Sequence, residues 1–521
     1  MSSLVALGLI ATATASEPGA PAESRAVADR ADLVQPKPGE PTSGFKFLGL
    51  VQMKATGTNV VSTNPFIDGQ VIGTLGGING MTTGEEAGFY AEQRVVGFFG
   101  YAPPLLSERV ALTAAFEADW GFGDQAYASA GNVGGGFGAD TVNLQTRRMH
   151  VTVAPDLGEH QTLRVHAGLQ FVGDSVNDPT ASRPDELLRS GGRLMFFGSE
   201  ATGIAAYGRV KTDWGDRARY RLGAFTLWER GSTDPDDVWL VVADAEARPV
   251  HATTVGLHAW SLRDRSGGQG GVLGLGPTSV LSEAQGGPRL DLREDSSGAA
   301  PAASADLTWI SLDGGYNGEL RSGRLGATAF ALANLGNVYG EGVDPVPVRG
   351  GLVDAELRLR YAPGEGSVLR VEALATTADD PDTASFEGVF TGNSYGVAGA
   401  VYLSHGCMLL FPDRLSINRL TSAVQDASAA GEGMVAVTGT LGYDPIPNRL
   451  TVQAGGGHAR GNAGSYGTEL NAAIVAEPYL FFNLGLRGAI LLPGEAPNPG
   501  AIAALPGPAK AVYLSLDWLV L

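Results

Sequence analysis

Four basic side chains stand at two-residue spacing in two neighbouring runs: Arg148 and His150, then Arg164 and His166. Alternate residues of an extended strand share a face, so two adjacent antiparallel strands would place all four on one surface. Such a strip can orient anionic or hydroxylated solutes, as charged rings do in water-filled pores. It can equally be a polar face whose arginines pair with acids on neighbouring strands. Arg217, Arg219 and Arg221 repeat the spacing and leave the same two readings open. Arg358, Arg360 and Arg370 stand beside Glu356 and Glu372, which favours pairing there.

Other constellations carry less chemistry. Gly392-Asn393-Ser394-Tyr395-Gly396 fits the G-x-S-x-G pattern of a nucleophile elbow, which needs a strand–turn–helix setting. The residues that follow, Val397 to Tyr402, are strand-like, and Ser465-Tyr466-Gly467 also opens a strand; both serines are read as strand starts. His251 and His258 are seven apart, and His405 precedes Cys407 without the spacing of a metal site. Cys407 is expected to be a small buried residue. The acids of Asp234-Pro235-Asp236-Asp237 and Asp379-Asp380-Pro381-Asp382 lack the spacing of a calcium loop and read as solvated loops. Gly134 to Gly138 has no strand-to-helix setting and is no phosphate loop. Neither catalytic residues, a cofactor nor a metal is expected.

Composition narrows the classes that could position these residues. Gly supplies 75 of 521 residues, about twice its usual ~7% share. A single cysteine excludes a disulfide scaffold, and a net charge of −19 argues against a nucleic-acid partner. With 44% hydrophobic residues the chain is not disordered throughout.

The dominant signal is a two-residue period. Leu163, Val165, Ala167, Leu169 and Phe171 alternate with Arg164, His166, Gly168 and Gln170. Ala355, Leu357, Leu359 and Tyr361 alternate with Glu356, Arg358 and Arg360, and Val512, Leu514, Leu516, Trp518 and Val520 with Tyr513, Ser515 and Asp517. A soluble sandwich also alternates, but few amphipathic helices are on hand to cover so many apolar faces. Apolar residues outward and polar residues inward describe a transmembrane barrel. No run reaches the ~18 apolar residues of a spanning helix, so a membrane location requires a closed β-barrel.

The turns add a second repeat. Tyr101-Ala102-Pro103-Pro104, Tyr361-Ala362-Pro363-Gly364 and Tyr443-Asp444-Pro445 each end a strand on Tyr and turn on Pro, with Trp214-Gly215-Asp216 and Glu477-Pro478-Tyr479 as variants. Pro presets the turn, and Tyr suits a membrane–water boundary. Residues 122–140, 174–191, 264–304, 336–350, 376–392 and 403–432 are expected to be long loops at the opposite end. Within the last, Asp413 to Ala430 could form a short helix that plugs the barrel or lies over its rim. Allowing roughly 28 residues per strand and its connections, the count is about 16–18 strands.

Residues 1–16 fit a secretory signal peptide and 17–43 a disordered Pro/Ala-rich tether; 44–521 would be one all-β domain, a single large antiparallel transmembrane β-barrel.

The stretch Leu144-Gln145-Thr146-Arg147-Arg148, followed by Leu163 to Gln170, resembles the outer-membrane porin group that includes the alginate-export barrels. Those barrels often end the second strand on G-R-Q, where this chain has Gly168-Leu169-Gln170. The resemblance implies an 18-stranded barrel in the outer membrane of a Gram-negative cell, conducting a polysaccharide or small solute. Its expected partners are outer-membrane lipid, the barrel assembly machinery and the solute itself. A saccharide or exopolysaccharide export porin is the finer expectation, and a structural or adhesive barrel with a plugged lumen is the alternative.

Overall fold

A computed structural model describes residues 44–62, 81–106, 109–122, 139–158, 160–173, 176, 199–212, 215–228, 238–265, 303–318, 320–340, 344–380, 382–389, 406–411, 413, 415, 417, 422–424, 431–479, 481–496 and 505–520. The expected signal peptide and tether, Ser394 and Gly134 to Gly138 lie outside the described residues.

Eighteen strands follow one another: β1 (Gly44–Ser62), β2 (Met81–Ala102), β3 (Val110–Phe122), β4 (Ala139–Val153), β5 (Gln161–Val172), β6 (Ser199–Thr212), β7 (Gly215–Trp228), β8 (Val238–Ala247), β9 (Thr253–Asp264), β10 (Ala303–Tyr316), β11 (Leu325–Gly340), β12 (Val346–Arg360), β13 (Val368–Thr376), β14 (Met434–Ile446), β15 (Leu450–Gly461), β16 (Gly464–Tyr479), β17 (Phe482–Pro493) and β18 (Ala509–Val520). Each pairs antiparallel with its sequence neighbours, and β1 pairs with both β2 and β18, from Gly49↔Val520 to Thr58↔Ala511. The chain is therefore a single closed 18-stranded antiparallel barrel. Closure leaves no edge strand with unpaired backbone groups, the condition for strands to stand in lipid.

Alternation sets the two faces. On β18, Val512, Leu514 and Trp518 are exposed outward while Tyr513, Ser515 and Asp517 are buried inward. On β4, Met149, Val151 and Val153 face out while Arg148, His150 and Thr152 face in. Arg147 breaks the expected parity. The register skips it between Ala115↔Arg148 and Phe116↔Thr146, so it sits in a bulge and pairs with Glu117 at 3.3 Å and Glu200 at 3.4 Å.

The five predicted Tyr/Trp–Pro/Gly turns all fall at one end, where even-numbered strands end: 103–109, 213–214, 361–367, 447–449 and 480–481. Tyr101, Tyr361, Tyr443 and Tyr479 are exposed there, as a boundary-seeking ring would be. At the other end, the expected long loops 122–140, 174–191 and 264–304 lie almost wholly outside the described residues, between β3 and β4, β5 and β6, and β9 and β10. Residues 336–350 do not form one: β11 runs to Gly340 and β12 starts at Val346. Apolar residues on both sides of that short turn let the strands extend past the Gly-rich sequence that suggested a loop. The expected loops 376–392 and 403–432 belong to one connection, 377–433, between β13 and β14.

This connection enters the barrel. Phe386, Leu409, Leu410, Phe411 and Val424 are buried in one cluster with inward residues of β7 to β12, among them Phe225, Leu240, Trp260, Trp309 and Leu332. The expectation of a uniformly polar interior is therefore corrected: an apolar layer lines one side of the lumen, and the inserted chain covers it. The expected helix within 413–430 is absent among the described residues. Ala423 and Val424 donate their N–H groups to the carbonyls of Leu409 and Leu410, at 2.7 and 2.9 Å. Those donors are thereby taken from the i→i−4 pattern a helix needs.

Candidate functional site

The basic strip splits into a stacked histidine pair and two separated arginines. His150 pairs with Gly168 across the β4–β5 ladder and Thr152 with His166, so the two histidines lie on a diagonal. Gly168 has φ +127°, and an added Cβ would press on the Met149 carbonyl and on the His150 backbone. The His150 ring lies over His166, with centroids 4.8 Å apart and planes 17° from parallel. Tyr207 on β6 closes the other side of His166 at 5.0 Å. Arg148 lies one inward step toward the long-loop end, between the rings of Phe98 and Phe171 at 5.7 and 5.5 Å. Arg148, His150 and His166 are buried, whereas Arg164, opposite Tyr207, is half-buried.

The second strip feeds a closed ionic network. Arg221 on β7 binds Asp244 on β8 through Nε at 2.7 Å and Nη2 at 2.6 Å. The other Asp244 oxygen receives His258 Nδ1 at 2.7 Å and the Trp260 indole N–H at 2.8 Å. His258 Nε2 reaches Asp313 on β10 at 2.9 Å. Both imidazole nitrogens thus face carboxylates, and only the imidazolium can donate from both. Gly256, the register partner of Asp313, supplies the space: a Cβ there would overlap the Asp313 carboxylate. Arg219, half-buried, stands between Arg209 and Glu246 in register; Arg217 lies on β7 with its side chain outside the described residues. Arg358 pairs with Glu356, as their proximity in sequence suggested.

The two sequence-predicted histidines are separated. His258 is in the network above, whereas His251 meets Ser322 in the turns at 2.9 Å. Cys407 is buried in the inserted connection, where burial pushes its thiol well above the usual range.

The residues that hold this connection carried no sequence signal. Glu469 on β16 is completely buried and accepts the backbone N–H groups of Met408, Leu409 and Leu410 at 2.8, 2.8 and 2.7 Å. Asn471 donates to the Gly406 carbonyl at 2.6 Å. On the far side, Lys54 of β1 binds Asp413 at 3.0 Å, and Arg94 of β2 donates to the Ile417 carbonyl at 2.8 Å while pairing with Asp119 at 2.9 Å. The connection is thus latched from β16 around to β2. An acid at an inward strand position marks Glu469 as lumen-facing, but its partner lies in a segment without periodicity.

No protein-family model matches the chain, and no curated protein matches it. The alginate-export resemblance finds no support in these comparisons. Among solved structures, the chain is similar to Pseudomonas aeruginosa OpdK with vanillate at 12% identity and TM-score 0.45, over 91% of this chain and 98% of that one. It is similar to P. aeruginosa OccK2 (OpdF) in complex with glucuronate at 10% identity and TM-score 0.45, over 91% and 98%. For Acinetobacter baumannii OccAB4 the values are 10% and 0.43, over 93% and 99%. The fold assignment rests on the strand ladders of the chain itself.

Proposed function

We propose that the protein is an outer-membrane channel for the passive passage of small polar solutes. The observation that carries this reading is the closed ring of 18 strands with an apolar outer face. Barrels of 16–18 strands enclose a lumen wide enough for water and solute. Arginines and histidines on β4 to β7 give part of its wall a basic character suited to anionic or hydroxylated solutes. A small solute fits the inserted connection better than a polysaccharide, since a polymer needs a continuous wide bore. The carboxylates vanillate and glucuronate, bound by two channels of similar fold, are natural first test solutes.

The same inserted connection favours a second reading, a structural or adhesive barrel whose lumen is filled by its own chain. Refolding the chain into a planar bilayer separates the two. Discrete current steps with a defined reversal potential in a salt gradient support the channel; a heat-modifiable barrel that stays silent supports the filled barrel.

A further inference from the structure

We propose that the outward face of β9 to β18 binds the phosphate groups of a phosphorylated glycolipid in the outer leaflet of the membrane, through Arg263, Arg349, Arg460 and Lys510. The inference goes beyond the channel reading and requires only that the barrel stand in the outer membrane.

Parity places all four cations on the lipid side of the wall. Arg263 is exposed between the buried Leu262 and Asp264, and its register partner Trp239 is exposed. Arg349 is exposed between the buried Val348 and Gly350 and stands opposite the exposed Leu335. Arg460 is exposed after the buried Ala459 and stands opposite the exposed Val435. Lys510 is exposed between the buried Ala509 and Ala511, on the same face as the exposed Val512.

Their height follows from the aromatic belt at the turn end. Arg263 is ten residues past Thr253, which pairs with the exposed Tyr316, and Arg349 is twelve before the exposed Tyr361. Arg460 is eight past Val452, which pairs with the exposed Tyr443, and Lys510 is eight before the exposed Trp518. At ~3.3 Å per residue and a tilt of ~40°, these spans rise about 20–30 Å. The apolar band of such a barrel is about 25 Å tall, with short turns on the periplasmic side and long loops outside. The four cations therefore stand at the far margin of the band, level with the headgroups of the outer leaflet.

Charge selects a phosphate. The chain carries a net −19, yet on β9 to β18 the outward acid at this level among the described residues is Asp306, and Arg265 holds it at 2.7 and 2.8 Å. None of the four cations has an ion-pair partner among the described residues. Acids of the adjoining connections, Asp344, Asp380, Asp382, Glu387 and Glu495, lie past the strand ends. Glu387 accepts the Thr383 hydroxyl and the Asp380 N–H, and Glu495 accepts the Ser465 N–H. A cation at the edge of the lipid gains from a headgroup anion, and a guanidinium offers a phosphate two parallel N–H donors. On β1 to β8 this margin carries no unpaired cation among the described residues, so one side of the barrel is the binding face.

The full chain is refolded in neutral micelles carrying diphosphoryl lipid A, its dephosphorylated form or phosphatidylglycerol, and retained lipid is counted by native mass spectrometry. Diphosphoryl lipid A should be retained, the dephosphorylated form should not, and phosphatidylglycerol should be held about fivefold more weakly or less. Changing all four cations to Gln should weaken retention of lipid A about tenfold or more, whereas Arg→Lys at the three arginines should stay within about threefold of wild type. Removing as many cations at the turn end, with Lys46, Arg248, Arg324 and Arg449 each changed to Gln, should leave retention unchanged. Heat-modifiable migration identifies the folded variants, and single Gln variants replace the fourfold one where it does not fold. Equal retention of phosphatidylglycerol would reduce the face to attraction for any anionic lipid and overturns the proposal. So does undiminished retention in the outward Gln variants, or an equal loss in the turn-end variant.

Discussion

The Asp413 carboxylate lies 3.0 Å from the Lys54 ammonium, joining residues 359 positions apart in a buried pair between barrel wall and inserted chain. Burial pushes the carboxyl up, but Lys54, Arg487 and the Leu415 N–H outweigh it and hold Asp413 below the usual carboxylate range. A depressed value means that docking draws on the ionised form. Its contribution is complete above the undocked value near 4 and is lost as pH falls through the depressed one. The difference in single-channel conductance between the wild-type chain and Asp413→Asn should therefore be the same at pH 7 and pH 5 and should shrink only below about pH 4. A change centred near pH 6 would assign the constriction to another group.

Glu469 is the stronger anchor, since its carboxylate serves three consecutive N–H groups at once. Hydrogen bonds to a charged acceptor contribute ~1.5–3 kcal/mol each. Glu469→Ala should loosen the inserted segment by roughly 3 kcal/mol or more, which is over a hundredfold in the rate at which a maleimide labels the buried Cys407. Glu469→Gln keeps one acceptor oxygen and should fall between the two. Labelling of Glu469→Ala at the wild-type rate would show that apolar packing alone holds the segment.

The Arg221–Asp244–His258–Asp313 network predicts a contrast between two glycines of adjoining strands. Gly256→Ala drives a methyl group into the Asp313 carboxylate, whereas at Gly314 the nearest atom stands 3.7 Å from an added Cβ. Gly256→Ala should cost ~1–3 kcal/mol and Gly314→Ala less than ~0.5. Asp244→Ala strands Arg221 and His258 in a buried site and should cost ~3–5 kcal/mol. Urea unfolding of the refolded barrel, followed by tryptophan fluorescence, measures all three. Equal midpoints for the two glycine variants would remove the steric argument.

Arg148 and Arg164 remain the test of the basic wall. Charge reversal at both, Arg148→Glu with Arg164→Glu, should move the reversal potential in a salt gradient toward cation selectivity. Arg164, the more exposed of the two, should account for most of the shift alone. Unchanged selectivity would make both residues structural.

Strand positions, their inward and outward faces, the turn end and the approximate strand number were all legible in the sequence. Each depends on a two-residue period and on Pro- and Tyr-marked turns, which are local. The bulge at Arg147 was not legible, because a single extra residue reverses parity without changing composition. Nor were the roles of Glu469, Lys54, Asp413, Asp244 and Asp313. Each becomes specific only when strands distant in sequence close into a ring and bring a partner to within hydrogen-bond reach. Alternation tells which way a side chain points. Only closure of the barrel, and entry of the described residues of the β13–β14 connection into it, decides what that side chain meets, because those contacts span tens to hundreds of residues and leave no periodic trace.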